Sequence, residues 1–229
     1  MKTHRFIGDF DLSKKRLSVA PDMAEQMKNV LRLKAGDVVI LGDGAGREAT
    51  AKISSFGNGG AVVDITEVSS PERELDKRIV LFASIIKKEN FEVVVQKAVE
   101  CGVSKIVPVI SERTVKLGLN MDRLRKIIRE AAEQSGRAVI ADICDPVRFS
   151  EALDSAEGRV VLFHPGADEF VPGVRHPGTV SVFIGPEGGF SDGEIDEAKG
   201  READILSLGD LTLRAETAAI ITSYIARYA

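Results

Sequence analysis

The 229-residue sequence predicts an α/β protein in which a small, mostly β domain precedes a larger domain built on a mostly parallel sheet. Residues up to about 70 form short apolar strands separated by glycine-rich turns. The rest of the chain alternates apolar strands with amphipathic helices. The polar segment "VSSPERELDK" separates the two patterns, so we predict domains at residues 1–72 and 73–229.

The first domain is predicted to be a small β-barrel-like unit. Its strands are "HRFIG", "RLSVA", "DVVIL", "REATAKIS" and "AVVDITEV". The one helix, "PDMAEQMKNVLRL", starts with a proline and places four apolar residues on one face: Met23, Met27, Val30 and Leu31. In "LGDGAGRE", Arg47 replaces the third glycine of a dinucleotide-binding loop and a strand follows, which indicates a hairpin turn.

The second domain is predicted from strands that are each followed by a helix. The strands are "RIVLFAS", "KIVPVI", "RVVLFH", "VSVFI" and "ADILSL". The helices are "NFEVVVQKAVECG", "NMDRLRKIIREAAEQSG", "RFSEALDSA", "DGEIDEAKGREA" and "RAETAAIITSYIARYA". Such an order implies a parallel sheet covered on both faces, with ligands bound beyond the carboxyl ends of the strands. A functional site is therefore expected in the loops "HPGAD", "GPEGGF" and "GDLTLR".

The loop "GPEGGF" looks suited to holding a ligand with its backbone. Gly188 and Gly189 leave their amides unshielded, and Ser191 with Glu194 has the spacing of a helix capping box. A P-loop is excluded because a phenylalanine follows Gly189 where a lysine is required. The acid Glu187 would repel a pyrophosphate but suits a positively charged ligand, or one that is held by neutral hydrogen bonds. From this loop alone, the alternative is that the glycines only form a tight connection between a strand and a helix and bind no ligand.

The loop "GDLTLR" favours a ligand more strongly. It leaves its strand at Gly209 and then places Leu211 and Leu213 where polar residues are usual. Arg214 comes at the start of the following helix, where the helix dipole disfavours a cation by about 0.3–1 kcal/mol. Glu216 suits that position, and it is either a partner of the dipole and of Arg214 or a functional acid.

Charge and composition limit the function classes. The net charge is −4, yet residues 77–137 hold 13 Lys and Arg against 7 Asp and Glu, which permits contacts with nucleic-acid phosphates. No signal peptide and no apolar run of about 20 residues is present, so we expect a cytoplasmic protein without a membrane segment. The two cysteines lack metal-ligand spacing, and no metal is predicted.

Several segments together resemble a known family. "IGPEGGFS", followed by "LGDLTLRAETAA", is similar to the signature of the SPOUT superfamily, and "RFIG", "VLRLKAGD", "EAAEQSGR" and "FHPGAD" extend the likeness over essentially the whole chain. Within the superfamily the sequence resembles the RsmE-type enzymes, which methylate N3 of a uridine in 16S ribosomal RNA. The resemblance implies a PUA-like first domain and a second domain with a trefoil knot. Asn90, Asp210 and Ala215 depart from the family's usual residues.

The resemblance implies S-adenosylmethionine (SAM) as the cofactor and identifies three groups of site residues. The SAM-binding residues are Leu162, His164, Pro165, Ile184, Gly185, Pro186, Glu187, Gly188, Gly189, Leu208, Gly209, Leu211, Leu213 and Thr217. The RNA-binding residues are Arg5, Arg32, Lys87, Lys97, Arg113 and Arg137. The catalytic residues are Arg214 and Glu216.

Methylation of uracil N3 requires loss of the N3 proton. Arg214 is expected to stabilise the resulting negative charge on the uracil oxygens. Either Glu216 or water takes the proton. The expected partner is 16S ribosomal RNA or the small ribosomal subunit, with a homodimer formed through the C-terminal domain. The alternatives are an enzyme of the same fold that methylates another base or a ribose 2′-hydroxyl, and a non-catalytic RNA-binding protein.

Overall fold

A computed structural model describes residues 3–57, 59–72, 74, 77–115, 118–171 and 178–228. The chain divides into two compact units, Met1–Glu74 with Ala132–Ile140 and Leu75–Ala131 with Ala141–Ala229. Arg73, the first residue of the predicted second domain, lies outside the described residues. Nothing in the sequence indicated that Ala132–Ile140 belongs to the first unit.

The first unit contains a five-stranded sheet that corresponds to the five predicted strands. The strands are β1 (His4–Ile7), β2 (Arg16–Val19), β3 (Val38–Gly42), β4 (Glu48–Gly57) and β5 (Gly60–Ser69). Their order is β1-β3-β4-β5-β2, with β1 parallel to β3 and the other neighbours antiparallel. Alternate residues such as Val39, Leu41 and Val63 are fully buried, because successive side chains of a strand point to opposite faces.

The helical segment after β2 differs from the prediction. Helix α1 covers only Pro21–Glu25, and a π-helical turn, Gln26–Val30, follows it. In that turn the Leu31 N–H bonds to the Gln26 carbonyl at 3.0 Å, five residues back. The wider turn changes which residues face the core, so that Met27 is fully buried but Val30 is 70% exposed. The prediction that Val30 shares the apolar face is wrong for this reason.

The hairpin predicted at "LGDGAGRE" is confirmed between β3 and β4. The Asp43 Oδ1 atom accepts hydrogen bonds from the backbone N–H groups of Ala45, at 2.8 Å, and Arg47, at 3.0 Å. Gly44 and Gly46 have φ values of 72° and 107°, a region that favours glycine. The glycines therefore serve the turn.

The Glu74 carboxylate makes several of the contacts that hold Ala132–Ile140 in the first unit. The Glu74 side chain accepts hydrogen bonds from the Arg137 guanidinium at 3.0 and 3.2 Å, and from the N–H groups of Ala138 at 2.9 Å and Val139 at 3.1 Å. Burial raises the pKa of Glu74, but these hydrogen bonds and the charge of Arg137 together outweigh burial. The pKa of Glu74 consequently lies below its ordinary value.

The second unit is built on a seven-stranded sheet in which every pair is parallel, as predicted. The strands are β6 (Ile79–Ser84), β7 (Lys105–Ile110), β8 (Asp142–Ile143), β9 (Val147–Arg148), β10 (Arg159–Glu169), β11 (Val180–Ile184) and β12 (Asp204–Ser207). Their order is β12-β10-β11-β6-β7-β8, and β9 also pairs with β7. The two-residue strands β8 and β9 were not predicted, since they are too short to show a period.

Helices cover both faces of this sheet. They are α2 (Lys88–Glu100), α3 (Met121–Ser135), α4 (Phe149–Asp154), α5 (Asp192–Gly200) and α6 (Ala215–Ile225), and a 3₁₀ turn, Ala226–Tyr228, follows α6. On β11, Phe183 packs into an aromatic core with residues of α4 and α5, whereas Val182 lies beside Thr222 of α6. The strands β6 and β11 are buried along their whole length. Among the described residues, no helix has the length and apolar character needed to span a membrane.

Candidate active site

The principal cavity of the second unit lies where the parallel sheet predicts a site, at loops that follow the carboxyl ends of the strands. Its volume is ≈ 490 Å³, which is in the range of small-molecule sites. The predicted site residues that line it are Pro165, Ile184, Gly185, Pro186, Glu187, Gly189, Leu208, Gly209, Leu211, Leu213, Arg214 and Glu216. The cavity therefore brings together the loops after β11 and β12, which are about 25 residues apart along the sequence.

The loop after β11 is shaped by its glycines. A Cβ atom on Gly185 would lie 3.1 Å from the Phe190 backbone nitrogen, a tight contact that a larger residue could make only if the loop backbone shifted. Gly189 has a φ of 68°, and the space around it is open. The Gly189 N–H donates to the Pro186 carbonyl at 2.8 Å, which closes a tight turn. A ligand can thus approach the backbone at Gly189 without meeting a side chain.

A capping box fixes the start of α5, as predicted. The Ser191 Oγ accepts from the Glu194 N–H at 3.3 Å, and the Ser191 N–H donates to the Glu194 Oε2 at 2.9 Å. The other carboxylate oxygen of Glu194 accepts from the Glu112 N–H at 2.8 Å. The loop after β11 is therefore held at its end by α5 and by the segment that follows β7.

The loop after β12 supplies the apolar part of the cavity. Gly209 has a φ of 99°, and Leu208, Leu211 and Leu213 follow or flank it along the cavity wall. Leu211 is 82% exposed. An apolar side chain at a cavity rim offers surface to an incoming ligand, because burying it there is favourable by about 25 cal/mol per Å².

Arg214 and Glu216 lie at the start of α6, and both line the cavity. Arg214 is the residue before the first helical turn, and its side chain is 85% exposed. Its Nη1 lies 3.9 Å from the Oε1 of Glu216, whose side chain is only 17% exposed. An ion pair with an exposed cation and such a long N–O distance contributes little to stability. The site thus places an exposed guanidinium beside a largely buried carboxylate.

The predicted loop "HPGAD" is part of strand β10, which was therefore predicted to end too early. Leu206 of β12 pairs with both Phe163 and Asp168, so the residues between them bulge out of the ladder. Pro165 lines the cavity from this bulge. Within the described residues, the buried Nδ1 of His164 has no hydrogen-bond partner.

Four predicted SAM-binding residues are not among the described residues that line the cavity. Leu162 is fully buried in the aromatic core and offers no side-chain surface there. The other three predicted residues outside the lining are His164, Gly188 and Thr217. Conversely, five residues that were not predicted line it: Asn90, Phe163, Thr212, Ala215 and Ala218.

The sequence contained enough information to predict that Asn90, a polar residue, lines the cavity. It lies in the first turn of α2, which follows β6. Because β6 pairs in parallel with β11, the carboxyl ends of both strands lie at the same edge of the sheet. The same rule that pointed to the loop after β11 therefore also points to Asn90.

The predicted RNA-binding residues fall into different environments. Arg5 and Arg137 belong to the first unit and form largely buried ion pairs, Arg5 with Glu48 at 2.9 Å and Arg137 with Glu74. In the second unit, Lys97 bonds to Glu100 of its own helix at 2.9 Å, whereas Lys87 is largely exposed. Arg32, also exposed, has a φ of 57°, which is unusual for a residue other than glycine.

Arg113 contacts the loop after β11 directly. Its Nη1 donates to the carbonyl oxygens of Gly188 at 2.8 Å and Phe190 at 3.3 Å. Among the described residues, no group of three or more His, Cys, Asp or Glu side chains is placed to hold a metal ion. The cysteines are both half-buried, and burial raises the pKa of Cys101, which makes this thiol a poor nucleophile.

Two family models match the chain. The one described as an RNA methyltransferase domain matches residues 73–227, and the one described as an RNA methyltransferase PUA domain matches residues 27–66. The chain belongs to the RNA methyltransferase family. The resemblance to the RsmE-type RNA methyltransferases and the PUA-like nature of the first domain are thereby confirmed.

Individual members of the RNA methyltransferase family agree with this assignment. The ribosomal RNA small subunit methyltransferase E of Synechocystis sp. is 30% identical over 84% of this chain and 66% of its own length. The crystal structure of the Neisseria gonorrhoeae methyltransferase of the same name, bound to SAM, has a TM-score of 0.90, with 28% identity over 97% of this chain and 95% of that one. A methyltransferase from Legionella pneumophila, in complex with SAM, has a TM-score of 0.87. It is 32% identical over 99% of this chain and 96% of its own.

Proposed function

We propose that this chain is a SAM-dependent methyltransferase that methylates N3 of a uridine in 16S ribosomal RNA. The observation that carries the proposal is the cavity formed by the loops after β11 and β12, with Arg214 and Glu216 on its wall. The similar Neisseria protein is named as a small-subunit ribosomal RNA methyltransferase and was solved with SAM.

The residues of the cavity fit SAM. Its described charged lining side chains are Glu187, Arg214 and Glu216, so that two acids stand against one base. This balance suits a cofactor that carries a cationic sulfonium and would oppose a pyrophosphate. When bound, SAM supplies a methyl group activated for transfer to a nucleophile.

The apolar and backbone groups would hold the rest of the cofactor. Leu208, Leu211 and Leu213 offer surfaces for the faces of an adenine ring, and the open space at Gly189 lets a ligand approach the main chain of the loop. The remaining proposed SAM-binding residues that line the cavity are Pro165, Ile184, Gly185, Pro186, Glu187 and Gly209.

Arg214 and Glu216 have environments that match their proposed roles. Uracil N3 carries a proton between two carbonyl groups, so the enzyme must remove this proton and stabilise the resulting charge. The exposed guanidinium of Arg214 presents a fork of donors that can reach both the cavity and an unstacked base. Glu216, which the cavity exposes on one side, is one candidate for accepting the proton, and water is the other.

The proposed partner is 16S ribosomal RNA, either free or in the small subunit, and the proposed location is the cytoplasm. The excess of Lys and Arg in residues 77–137 supports phosphate contacts, and Lys87 is an exposed candidate in that segment. In the first unit the exposed candidate is Arg32. A homodimer through the second unit is supported by α6, which exposes Ile221 and Tyr224. The resemblance to the SPOUT superfamily supports a trefoil knot around the cavity loops.

Methylation of defined substrates tests the function. The protein would be incubated with SAM and either 16S ribosomal RNA transcripts or small subunits from cells that lack the modification, and the product nucleosides would be identified by mass spectrometry. The proposal expects 3-methyluridine at a single position. A 2′-O-methyl nucleoside or another methylated base as the product would mean that the chain is a related methyltransferase with a different target atom. A folded protein that neither binds SAM nor transfers a methyl group would instead be a non-catalytic RNA-binding protein.

A further inference from the structure

The segment after β7 forms a compact turn beside the cavity loop. The Thr114 N–H donates to the Ser111 carbonyl at 3.0 Å, and the Ser111 N–H donates to the Thr114 Oγ1 at 3.0 Å. The turn places Arg113 against Gly188, whose added Cβ would lie 3.4 Å from the Arg113 Cδ. This distance is an ordinary van der Waals contact, so the Arg113 side chain packs directly against the loop.

Arg113 holds two peptide groups of the loop at once. Its Nη1 donates to the carbonyls of Gly188, at 2.8 Å, and Phe190, at 3.3 Å. Because a peptide unit is planar, fixing the Gly188 carbonyl also fixes the direction of the Gly189 N–H, and fixing the Phe190 carbonyl fixes the Ser191 N–H. The first of these N–H groups closes the turn at the cavity, and the second makes the capping box of α5.

The loop needs such an external restraint. Two adjacent glycines have the greatest backbone freedom of any pair of residues, and ordering them costs conformational entropy. Hydrogen bonds from a guanidinium are charge-assisted and stronger than neutral ones. The neighbouring Glu112 N–H adds a second restraint on the same side through the carboxylate of Glu194.

We infer that Arg113 is a positioning residue that orders the glycine loop for the cofactor. The sequence had suggested RNA binding for Arg113, and the contacts with Gly188 and Phe190 point instead to the loop. This inference rests on the proposed function, since SAM is the ligand that the loop would be ordered for. A loop that is ordered beforehand binds more tightly, because less entropy is lost on binding.

Titration of Arg113→Ala with SAM by calorimetry is the main test. We expect the dissociation constant to rise about 10-fold or more, which is the scale of one lost hydrogen bond to a charged group. The KM for SAM should rise similarly. The kcat at saturating SAM should stay within about 3-fold of the wild-type value, because bound SAM itself orders the loop. Arg113→Lys should recover part of the affinity, since an ammonium donates to a carbonyl without the rigid fork.

Arg125→Ala is the matched control. Arg125 is also an exposed cation of the basic segment, and it pairs with Asp122 of its own helix. The inference expects Arg125→Ala to leave SAM affinity unchanged, and both variants to bind a 16S ribosomal RNA transcript about equally well. Unchanged SAM affinity in Arg113→Ala, or a loss of RNA affinity without a loss of SAM affinity, would overturn the inference.

Amide hydrogen exchange of the cofactor-free protein tests the restraint independently of SAM. Arg113→Ala should speed exchange at Gly189 and Ser191 about 10-fold or more while the strands of the second unit keep their protection. Uniform acceleration throughout that unit would indicate a general structural role and would overturn the inference. If the wild-type protein fails to bind SAM, the proposed function fails and the cofactor role of Arg113 fails with it, whereas a local change in exchange would still identify the loop restraint.

Discussion

Replacing Arg214 by alanine separates a catalytic role from a structural one. The Arg214 side chain is 85% exposed and its distance to the Glu216 carboxylate is 3.9 Å, so the ion pair should contribute about 0–1 kcal/mol. A cation at a helix N-terminus is disfavoured by about 0.3–1 kcal/mol. Because these contributions oppose each other and have similar size, we expect the free energy of unfolding to change by about 0.5 kcal/mol or less.

The effect on methyl transfer should be much larger. Loss of one preorganised donor to a developing negative charge commonly lowers the rate by about 10²- to 10³-fold. The rate would be measured in single turnovers with SAM and small-subunit RNA, since product release then does not obscure the chemical step. The affinity for SAM, measured by calorimetry, should change about 3-fold or less, because the exposed guanidinium is expected to face the RNA.

Arg214→Lys serves as the matched variant, because it keeps the charge but loses the planar fork of donors. We expect its rate to lie between those of the wild type and Arg214→Ala. The reasoning fails if Arg214→Ala is clearly destabilised in thermal melting and yet transfers the methyl group at the wild-type rate. Arg214 would then hold α6 in place and would have no part in the reaction.

Three further predictions concern the cofactor loop, pH and assembly. Gly189→Val should lower SAM affinity by at least about 10-fold in a folded protein, since Gly189 has a φ of 68° and its Cβ would enter the cavity; normal affinity by calorimetry would mean that the loop is only a connection. The pKa of Glu74 is lowered on folding, so its carboxylate stabilises the protein above its ordinary pKa of 4.5, and this contribution is lost as the pH falls through the lower, folded value. Glu74→Gln should therefore melt below the wild type at pH 7, with a difference that narrows below about pH 4.5, and a difference that is constant with pH would contradict the argument. Sedimentation at micromolar concentration should show a dimer that Tyr224→Glu weakens, whereas a wild-type monomer would remove the proposed interface on α6.

Much of the fold could be predicted from the sequence because its determinants are local. Alternating and continuous apolar runs identify the strands, and the capping pair Ser191 and Glu194 marks the start of α5 within four residues of chain. The predictions that were wrong also have local causes. The π-helical turn at Gln26–Val30 adds a residue to a helical period, and the bulge in β10 extends a strand through a proline and a glycine that resemble a loop.

The change of pattern near residue 70, the parallel sheet and the glycine loops at its carboxyl edge could all be predicted, because each depends on residues that are near one another in the chain. The residues from distant parts of the chain that meet those loops became known from the three-dimensional fold. It placed Arg113 on Gly188, 75 residues away, placed Asn90 in the cavity wall, and joined Glu74 to Arg137, 63 residues away. Periodicity shows which face of an element is buried, but it does not show which element lies opposite. That choice follows from the packing of the whole sheet and its helices, and it makes Arg113 a neighbour of the cofactor loop.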